Sequence, residues 1–293
     1  MNNKIRTFLL ALLCPIYLAA QSTTYKIYDT ESKEEISLAD LVAAVAETDV
    51  LVFGEEHDDS LAHALQDQLY NMLLEKYETV TLSMEMFETD GQLILDEYLA
   101  GLITEEKMTS NTRAWGNYQT DYRPMVELAK KKGQAVIAAN APRRYVNLVS
   151  RRGLAALENL PKASKAYLAP LPIPTDDSGY YDRFKEIMGG AMHSIGINIY
   201  HAQCTWDATM AYRMFQHWKK HKKEHIFHLT GRFHSDYQQG TIHQLRRLNK
   251  KISVKNISCF SITDFNRPNW NSYMDLGDFL IVSEATVSKM GNQ

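Results

Sequence analysis

Short apolar runs alternate along the chain with longer segments in which apolar residues recur at helical spacing. Runs rich in valine, isoleucine and phenylalanine occupy residues 50–53, 80–84, 135–139, 225–229, 252–257 and 279–282. Helical spacing relates Leu61, Leu65, Leu69 and Met72, and then Met125, Leu128 and Ala129 before the stop at Gly133. Strand and helix in alternation predict an α/β fold with a mostly parallel central sheet and helices on both faces.

One segment breaks this alternation, and one short run extends the predicted sheet at its margin. Between Arg151 and about Gly196, prolines at 161, 170, 172 and 174 precede the sequence DDSGYYDRF. Because strand-like runs resume afterwards, we interpret residues 151–196 as a helical insertion or lid. The run 25–28 predicts an additional edge strand, and residues 21–293 are expected to form a single domain.

The first twenty residues have the pattern of a secretory signal. Lys4 and Arg6 precede an almost wholly apolar stretch from Thr7 to Ala20, which ends in Leu-Ala-Ala. This apolar stretch is shorter than the roughly 20 residues that span a membrane, so cleavage after Ala20 is expected. Leu13 is bulky where a lipobox before Cys14 requires a small residue, so a lipid anchor is not expected. The sequence therefore predicts an exported protein, periplasmic or associated with the cell surface.

Composition excludes some classes of partner and of covalent framework. The net charge of −3 with 23% charged residues gives no sign of nucleic-acid binding. Once the signal is removed, the cysteines are Cys204 and Cys259, which excludes a disulfide framework. A single bridge between them is an alternative to two small buried apolar residues, and we favour burial.

Charged residues concentrate where four of the predicted strands end. The stretches LVFGEEHDDS (51–60) and HLTGRFHSDY (228–237) share one plan: apolar residues, glycine, two residues, histidine and then aspartate. The polar residues after the four strands are Glu55, Glu56, His57 and Asp58, then Glu85 and Glu88, then Asn140, Arg143 and Arg144, and finally Arg232, His234 and Asp236. Ligands of parallel α/β sheets bind at the carboxyl ends of strands, so these positions predict a site.

Local structure is the alternative explanation for several of these residues. Asp58, Asp59 or Ser60 is placed to cap the helix that follows, and Asp236 is placed to cap a helix beginning near Gln238. Glu85 lies among apolar neighbours in LSMEMF, where an ionised carboxylate requires a partner, a metal ion or a solvated strand end.

The residue types allow two kinds of chemistry. We expect Glu55, His57, Glu85 and His234 to converge on one pocket, with Arg143 or Arg144 at its rim to receive an anionic group. Two histidines with carboxylates can bind a divalent metal ion that keeps open positions for water. Without a metal, His57 can act as a general base with Glu85 orienting it, and His234 can join the proton transfer.

The paired motifs resemble a known family. Two Gly-x-x-His units, Gly54–His57 and Gly231–His234, each follow a predicted strand, with SMEMF and ANAPRR between them. The stretch QCTWDATMA (203–211) adds Gln203, Asp207 and Met210 on one helix face. Over residues 49–282 the chain resembles the ChaN family of haem-binding proteins, within the superfamily of TIKI and TraB proteins and erythromycin esterases.

This resemblance implies haem as the cofactor and a role in iron acquisition. It implies a cofacial haem pair across a homodimer with tyrosine ligation, and a partner in outer-membrane haem or iron uptake. It equally implies an alternative, a metal-assisted or His/Glu-dependent peptidase or esterase that uses the Gly-x-x-His histidines. The haem ligand is sought in the insertion, where Tyr180 and Tyr181 lie near Met188, Met192 and His193, although ordinary packing of an amphipathic lid helix also explains them.

Overall fold

The computed structural model describes residues 24–189 and 196–285 and contains one eight-stranded sheet. The strand order is β2-β1-β8-β7-β3-β6-β4-β5. Strands β3 to β8 run parallel, whereas β1 pairs antiparallel with both β2 and β8. The strands are β1 (Tyr25–Asp29), β2 (Glu34–Ile36), β3 (Val50–Glu55), β4 (Val80–Glu88), β5 (Val136–Asn140), β6 (His225–Gly231), β7 (Val254–Ile262) and β8 (Phe279–Glu284). The predicted mostly parallel α/β fold is confirmed.

Helices cover both faces of this sheet. In order, the described helices are α1 (Leu38–Ala44), α2 (Ser60–Lys76), α3 (Gln92–Leu99), α4 (Glu105–Thr112), α5 (Arg123–Lys132), α6 (Arg143–Arg152), α7 (Lys162–Lys165), α8 (Ser178–Met188), α9 (Asn198–Lys220) and α10 (Gly240–Leu248). None of these helices is long and apolar enough to span a membrane. The predicted stop of α5 is at Gly133, whose positive φ of 66° suits glycine.

Side-chain alternation along β3 explains why this strand is apolar up to its end. Leu51 and Phe53 pack into the core with α2 and α5, while Val50 and Val52 pack with α9 and α10 on the opposite face. A strand with both faces buried has no polar side of its own. In β3 the charged residue, Glu55, therefore lies at the strand end, where loops meet, whereas β4 and β6 also bury Ser83 and His228 within the sheet.

Two details of the sheet differ from the sequence prediction. The run 25–28 forms β1, but it is not the edge strand, because the three-residue β2 pairs outside it. The sequence of β2, Glu-Glu-Ile, is too short to show a pattern. Strand β4 continues to Glu88, with an irregularity in its pairing to β5 between Met84 and Glu88. Glu85 therefore lies within β4 and not at its end.

The described part of the predicted insertion consists of helices and turns. A 3-10 turn (Leu154–Asn159), α7 and α8 follow α6, and no strand occurs among the described residues of this segment. Its buried Leu157, Ile173 and Phe184 pack in one cluster with residues of α6 and α9. Cys204 and Cys259 are both free and buried, as expected. The predicted signal at 1–20 lies outside the described residues.

Candidate functional site

The two Gly-x-x-His motifs lie side by side on neighbouring strands and leave space for each other. In the β3–β6 register Gly54 is opposite Thr230, and Glu55 is opposite Gly231. A Cβ atom at Gly54 would lie 2.9 Å from Cα of Arg232, and one at Gly231 would lie 2.7 Å from Nε2 of His57. Each glycine therefore allows the residues of the other motif to approach the sheet.

Glu55 is a buried carboxylate with several hydrogen-bond partners. Its Oε1 lies 2.8 Å from Nδ1 of His57 and accepts a 2.5 Å hydrogen bond from Tyr122. Its Oε2 accepts from Gln66 and lies 3.5 Å from Nε2 of His63. Burial raises the pKa of Glu55, but the hydrogen bonds from His57, His63 and Tyr122 outweigh it and hold this pKa at about 2.

His57 is held by Glu55 but remains partly exposed. Its side chain is 43% exposed, and its ring meets Trp115 edge to face with centroids 4.9 Å apart. Because Nδ1 faces Glu55, the remaining nitrogen Nε2 lies over Gly231. Burial lowers the pKa of His57, but the hydrogen bond that its Nδ1 donates to Glu55 and the charge of Glu85 raise this pKa by more, so the net shift is upward.

A second histidine lies between two buried carboxylates. Nδ1 of His234 is 2.7 Å from Oδ1 of Asp207, and its Nε2 is 3.6 Å from Oε1 of Glu85. The other oxygen of Glu85 accepts hydrogen bonds of 2.6 Å from the Thr230 hydroxyl and 2.8 Å from the Gly231 amide. These contacts account for the burial of Glu85, since each of its oxygens faces a donor or a cation.

Electrostatics links the two histidines through Glu85. Burial lowers the pKa of His234, but the carboxylates of Glu85 and Asp207 raise it to about 9, so this ring is an imidazolium at neutral pH. Burial raises the pKa of Glu85, but His234 and His57 lower it and prevail. The charge of His234 also lowers the pKa of His57. The structure thus groups Glu55 with His57 and Glu85 with His234, in two adjoining pairs.

Helix α9 supplies two residues that contact His234, and of these Asp207 stabilises its charged ring. The Gln203 side-chain amide lies 3.2 Å from both ring nitrogens of His234 and donates a 3.0 Å hydrogen bond to the hydroxyl of Tyr180. Asp207 also accepts a 2.9 Å hydrogen bond from Thr241. The two α9 residues are one turn apart, so the face that the sequence pattern grouped does turn toward the strand ends.

A cavity of about 480 Å³ opens beside these pairs, between α6 and α9. Glu85 and Gln203 form part of its polar lining, and the indoles of Trp115 and Trp206 form part of its apolar wall. Its remaining lining residues are Glu88, Asn140, Ala141, Arg143, Val146, Asn147, Ser150, Ile199 and Ala202. The arrangement suits a ligand with a large apolar surface, and the volume lies within the usual range for small-molecule sites.

The two arginines predicted for the rim have different environments. Arg143 lines the cavity, has a side chain 75% exposed, and makes one long contact of 4.0 Å to Glu88. Arg144 instead pairs with Asp90 and stacks over Tyr145, 4.4 Å from the ring centroid, and does not line the cavity. Consecutive helix residues point about 100° apart, so one of the pair faces the cavity and the other does not.

The two candidate tyrosines differ in accessibility. Tyr180 is 1% exposed, and its hydroxyl is bonded to Gln203 behind the cavity wall. Burial raises its pKa well above the ordinary value, which opposes formation of a phenolate. Tyr181 is partly exposed and packs on Tyr200 with ring centroids 4.8 Å apart. His193 lies outside the described residues.

The capping predictions have mixed outcomes. Asp59 is the N-cap of α2 and accepts a 2.9 Å hydrogen bond from the amide of Leu61. The prediction for Asp236 is wrong: its carboxylate accepts from Ser258 at 2.7 Å and from Arg232 at 2.9 Å and caps no helix near 238. Its two partners come from β7 and from the second motif, a tertiary arrangement that local sequence does not reveal.

The predicted divalent-metal set does not form a compact ligand group. Within residues 24–189 and 196–285, the groups of three or more histidine, cysteine or carboxylate ligand atoms within 4.8 Å of one another do not include Glu55, His57, Glu85 or His234. Each of the two carboxylates is instead engaged by nearby hydrogen-bond donors. What the arrangement provides is two histidines suited to proton transfer or charge stabilisation. Sequence reasoning missed four residues of the site, which are Gln66, His63, Tyr122 and Trp115. Of these, only His63 and Gln66, spaced i, i+3 on α2, leave a pattern in the sequence.

Comparison with solved structures identifies the fold. The chain is similar to ChaN of Campylobacter jejuni, solved with cofacial haem, at 15% identity and a TM-score of 0.66, covering 89% of this chain and 97% of that one. Weaker similarities, both at 10% identity and a TM-score of 0.48, are to a mutant of the erythromycin esterase EreC in its open conformation (90% and 84% covered) and to the type III effector HopBA1 (85% and 94%). No curated protein sequence matches the chain.

The solved structures show the fold alone, because their sequence identity to this chain is low. A comparison with protein families identifies the family. The family described as haem-binding uptake, Tiki superfamily, ChaN matches residues 41–245, which is more than half of the chain. This range includes both Gly-x-x-His motifs, the cavity residues and α8. The chain therefore belongs to the ChaN haem-binding uptake family of the Tiki superfamily.

Proposed function

We propose that the protein is an exported haem-binding protein of haem or iron acquisition, and that haem lies in the cavity between α6 and α9. The observation that carries this proposal is the combination of apolar walls with an exposed guanidinium at the rim. Family membership supplies the identity of the ligand, since this family is described as haem-binding.

The residues of the cavity fit a flat apolar ligand with anionic edges. Trp115, Trp206 and Ile199 provide apolar surface, which haem binding requires. Arg143 has a single distant acidic neighbour at 4.0 Å, so its guanidinium is available to a carboxylate such as a haem propionate. The buried carboxylate of Glu85 accepts hydrogen bonds from Thr230 and Gly231 and faces the imidazolium of His234, which offsets its charge.

A tyrosine of α8 is proposed as the iron ligand. Tyr181 is favoured over Tyr180 because it is partly exposed, whereas the hydroxyl of Tyr180 lies behind Gln203. Tyr181 packs on Tyr200 and does not itself line the cavity, so iron ligation by Tyr181 requires haem to extend from the cavity toward α8. A phenolate holds ferric iron and binds ferrous iron poorly, which suits delivery of haem or iron more than electron transfer. His193 remains a candidate from the sequence, outside the described residues.

Haem binding is tested by titrating hemin into untagged mature protein and following the Soret band. Arg143→Ala is expected to weaken binding about tenfold through loss of one charged contact. Asn147→Trp, at an exposed lining position, should block the cavity without disturbing the core. Arg152→Ala, an exposed arginine of the same helix that does not line the cavity, is the matched control.

The outcomes separate the location of haem from its ligand. Unchanged affinity in both Arg143→Ala and Asn147→Trp would place haem outside this cavity, and absence of a Soret band in the wild type would refute haem binding. Tyr181→Phe should alter the Soret band, whereas Tyr180→Phe should not. An unchanged band in the double variant would exclude both tyrosines as ligands.

Export is the second part of the proposal and rests on residues 1–20. Cleavage after Ala20 predicts that exported protein begins at Gln21, because the apolar core ends in Leu-Ala-Ala. Intact-mass measurement of protein recovered from the periplasm or medium tests this. Retention of Met1, or a diacylglyceryl group on Cys14, would contradict it.

A hydrolase activity is the alternative, favoured by the two histidines beside the cavity, each of which faces a buried carboxylate. His57, with Nδ1 held by Glu55, could accept a proton from water at Nε2. The imidazolium of His234, with its pKa near 9, could stabilise developing negative charge. In a screen of ester and peptide substrates, His57→Ala should abolish any hydrolysis while haem binding is retained. His243→Ala, a partly exposed histidine of α10, is the control, and equal loss in both variants would exclude this role for His57.

A further inference from the structure

At the amino-terminal ends of the strands, opposite the cavity, two histidines and a glutamate form a compact cluster. His217 lies in the last turn of α9, His221 is the C-cap residue directly after this helix, and Glu224 follows in the turn that leads into β6. Nε2 of His217 is 2.8 Å from Oε2 of Glu224, and Nδ1 of His221 is 3.0 Å from Oε1. One potential ligand atom of each residue lies within 4.8 Å of the other two.

We propose that His217, His221 and Glu224 bind a divalent transition-metal ion of the Zn²⁺ type. Histidines at positions i and i+4 of a helix face the same side and can chelate one ion. Imidazole nitrogen and carboxylate oxygen are ordinary Zn²⁺ ligands, and bonds of about 2.1 Å in tetrahedral geometry separate neighbouring ligand atoms by about 3.4 Å. The separations of 2.8 and 3.0 Å between the two histidine nitrogens and the oxygens of Glu224 are shorter than this value, so the side chains would move apart to admit an ion.

The surrounding residues hold this cluster in place. The two imidazole rings are stacked with centroids 4.4 Å apart, so they lie next to each other on the same side of the chain, and a rotation of one ring would turn both nitrogens toward a shared ion. The hydroxyl of Thr81 in β4 lies 3.0 Å from Nε2 of His217 and donates a 3.1 Å hydrogen bond to Oε2 of Glu224. A hydrogen bond to a ligating carboxylate orients it and reduces the reorganisation that metal binding requires.

The chemistry of the cluster selects among metals. Mg²⁺ and Ca²⁺ prefer sets of oxygen ligands, and here the cluster offers a single carboxylate. The neighbouring Lys219, Lys220, Lys222 and Lys223 add positive charge that opposes any cation held by Coulomb attraction alone. A metal with strong affinity for imidazole nitrogen is therefore required.

The position of the cluster indicates an ion with an exchangeable fourth ligand. Its three residues line an open cavity of about 520 Å³, so a water molecule can complete a tetrahedral set. The seven residues of β6 separate this edge from the Gly-x-x-His pairs by roughly 20 Å at 3.3 Å per residue. The metal site is thus independent of the proposed haem site.

Calorimetric titration of ZnCl₂ into untagged, EDTA-treated protein near pH 7.5 tests the proposal, with Co²⁺ absorbance to report the geometry. We expect one ion per chain, no binding of Mg²⁺, and visible bands of tetrahedral Co²⁺. Saturation to about 100 times the dissociation constant should raise the Tm by about 5–10 °C, because the ion binds the folded chain.

Substitutions identify the ligands. His221→Ala and Glu224→Gln should each weaken Zn²⁺ binding at least tenfold, and circular dichroism should show that both apo variants are folded. His201→Ala, a partly exposed histidine of the same helix, should bind as the wild type does. Wild-type affinity in His221→Ala and Glu224→Gln, or no stoichiometric binding to the wild type, would show that the cluster is only an ion-pair network.

Discussion

The Cα atom of Gly231 lies against the imidazole ring of His57, so that a Cβ atom at this position would be 2.7 Å from Nε2. The reciprocal relationship holds for Gly54, whose added Cβ would be 2.9 Å from Cα of Arg232. The glycine of each Gly-x-x-His motif is therefore explained by the residues of the other motif. This accounts for a repeated pattern whose two copies are far apart in sequence.

Alanine substitutions at the two glycines should have unequal effects on stability. Gly54→Ala forces Cβ against backbone, which cannot yield locally, so we expect destabilisation of about 1–3 kcal/mol or more. Gly231→Ala meets the His57 ring, which is 43% exposed and can rotate away, so the free energy of unfolding should change less. Urea denaturation measures both. A larger loss for Gly231→Ala would contradict this account.

Asp207→Asn should change how stability depends on pH. Because the folded pKa of His234 is about 9 and its ordinary value is 6.5, its ion pairs stabilise fully below pH 6.5 and lose this contribution as pH rises through 9. Across that range, the free energy of unfolding of the wild type should fall by on the order of 3 kcal/mol because of this group. In Asp207→Asn the decline should be shallower, since only Glu85 then raises the pKa. Equal slopes in denaturation experiments would show that this ion pair contributes little.

Glu85→Gln should destabilise the protein by about 1–3 kcal/mol at neutral pH, because it leaves the His234 imidazolium with one carboxylate and disturbs a hydrogen-bonded network. The pKa of Glu85 is lowered in the fold, so its stabilisation is present above about pH 4.5 and is lost as pH falls through the folded value. The difference in the free energy of unfolding between the variant and the wild type should accordingly disappear at acidic pH. Thermal unfolding that shows equal or greater stability would indicate instead a charge held at the expense of folding.

Asp59→Ala should remove the N-cap of α2. The carboxylate accepts hydrogen bonds of 2.9 and 3.3 Å from the amides of Leu61 and Ala62, and loss of such a cap costs about 1 kcal/mol. Asp58→Ala, the adjacent exposed residue, is the control. Chemical denaturation should distinguish the two variants, and equal effects would argue against capping as the role of Asp59.

Secondary structure and fold class were predictable because they depend on local pattern. The apolar runs located six of the strands, and their alternation with helical segments predicted a parallel sheet. Parallel strands place their carboxyl ends on one edge, so the general position of the charged residues followed too. The three-residue β2 and the continuation of β4 past Glu85 carry no such pattern and were missed.

The partners of each charged residue were decided by tertiary structure alone. Sequence order does not reveal that β6 is placed between β3 and β4, and this placement brings Gly231 to both His57 and Glu85. Likewise, Tyr122 reaches Glu55 across 67 residues of chain. Side-chain periodicity reports which face of an element is buried, whereas the identity of a neighbour depends on strand order and helix packing. The sequence by itself therefore determined which residues would be charged at the strand ends, and only the folded structure decided which of them share a proton, a hydrogen bond or a cavity.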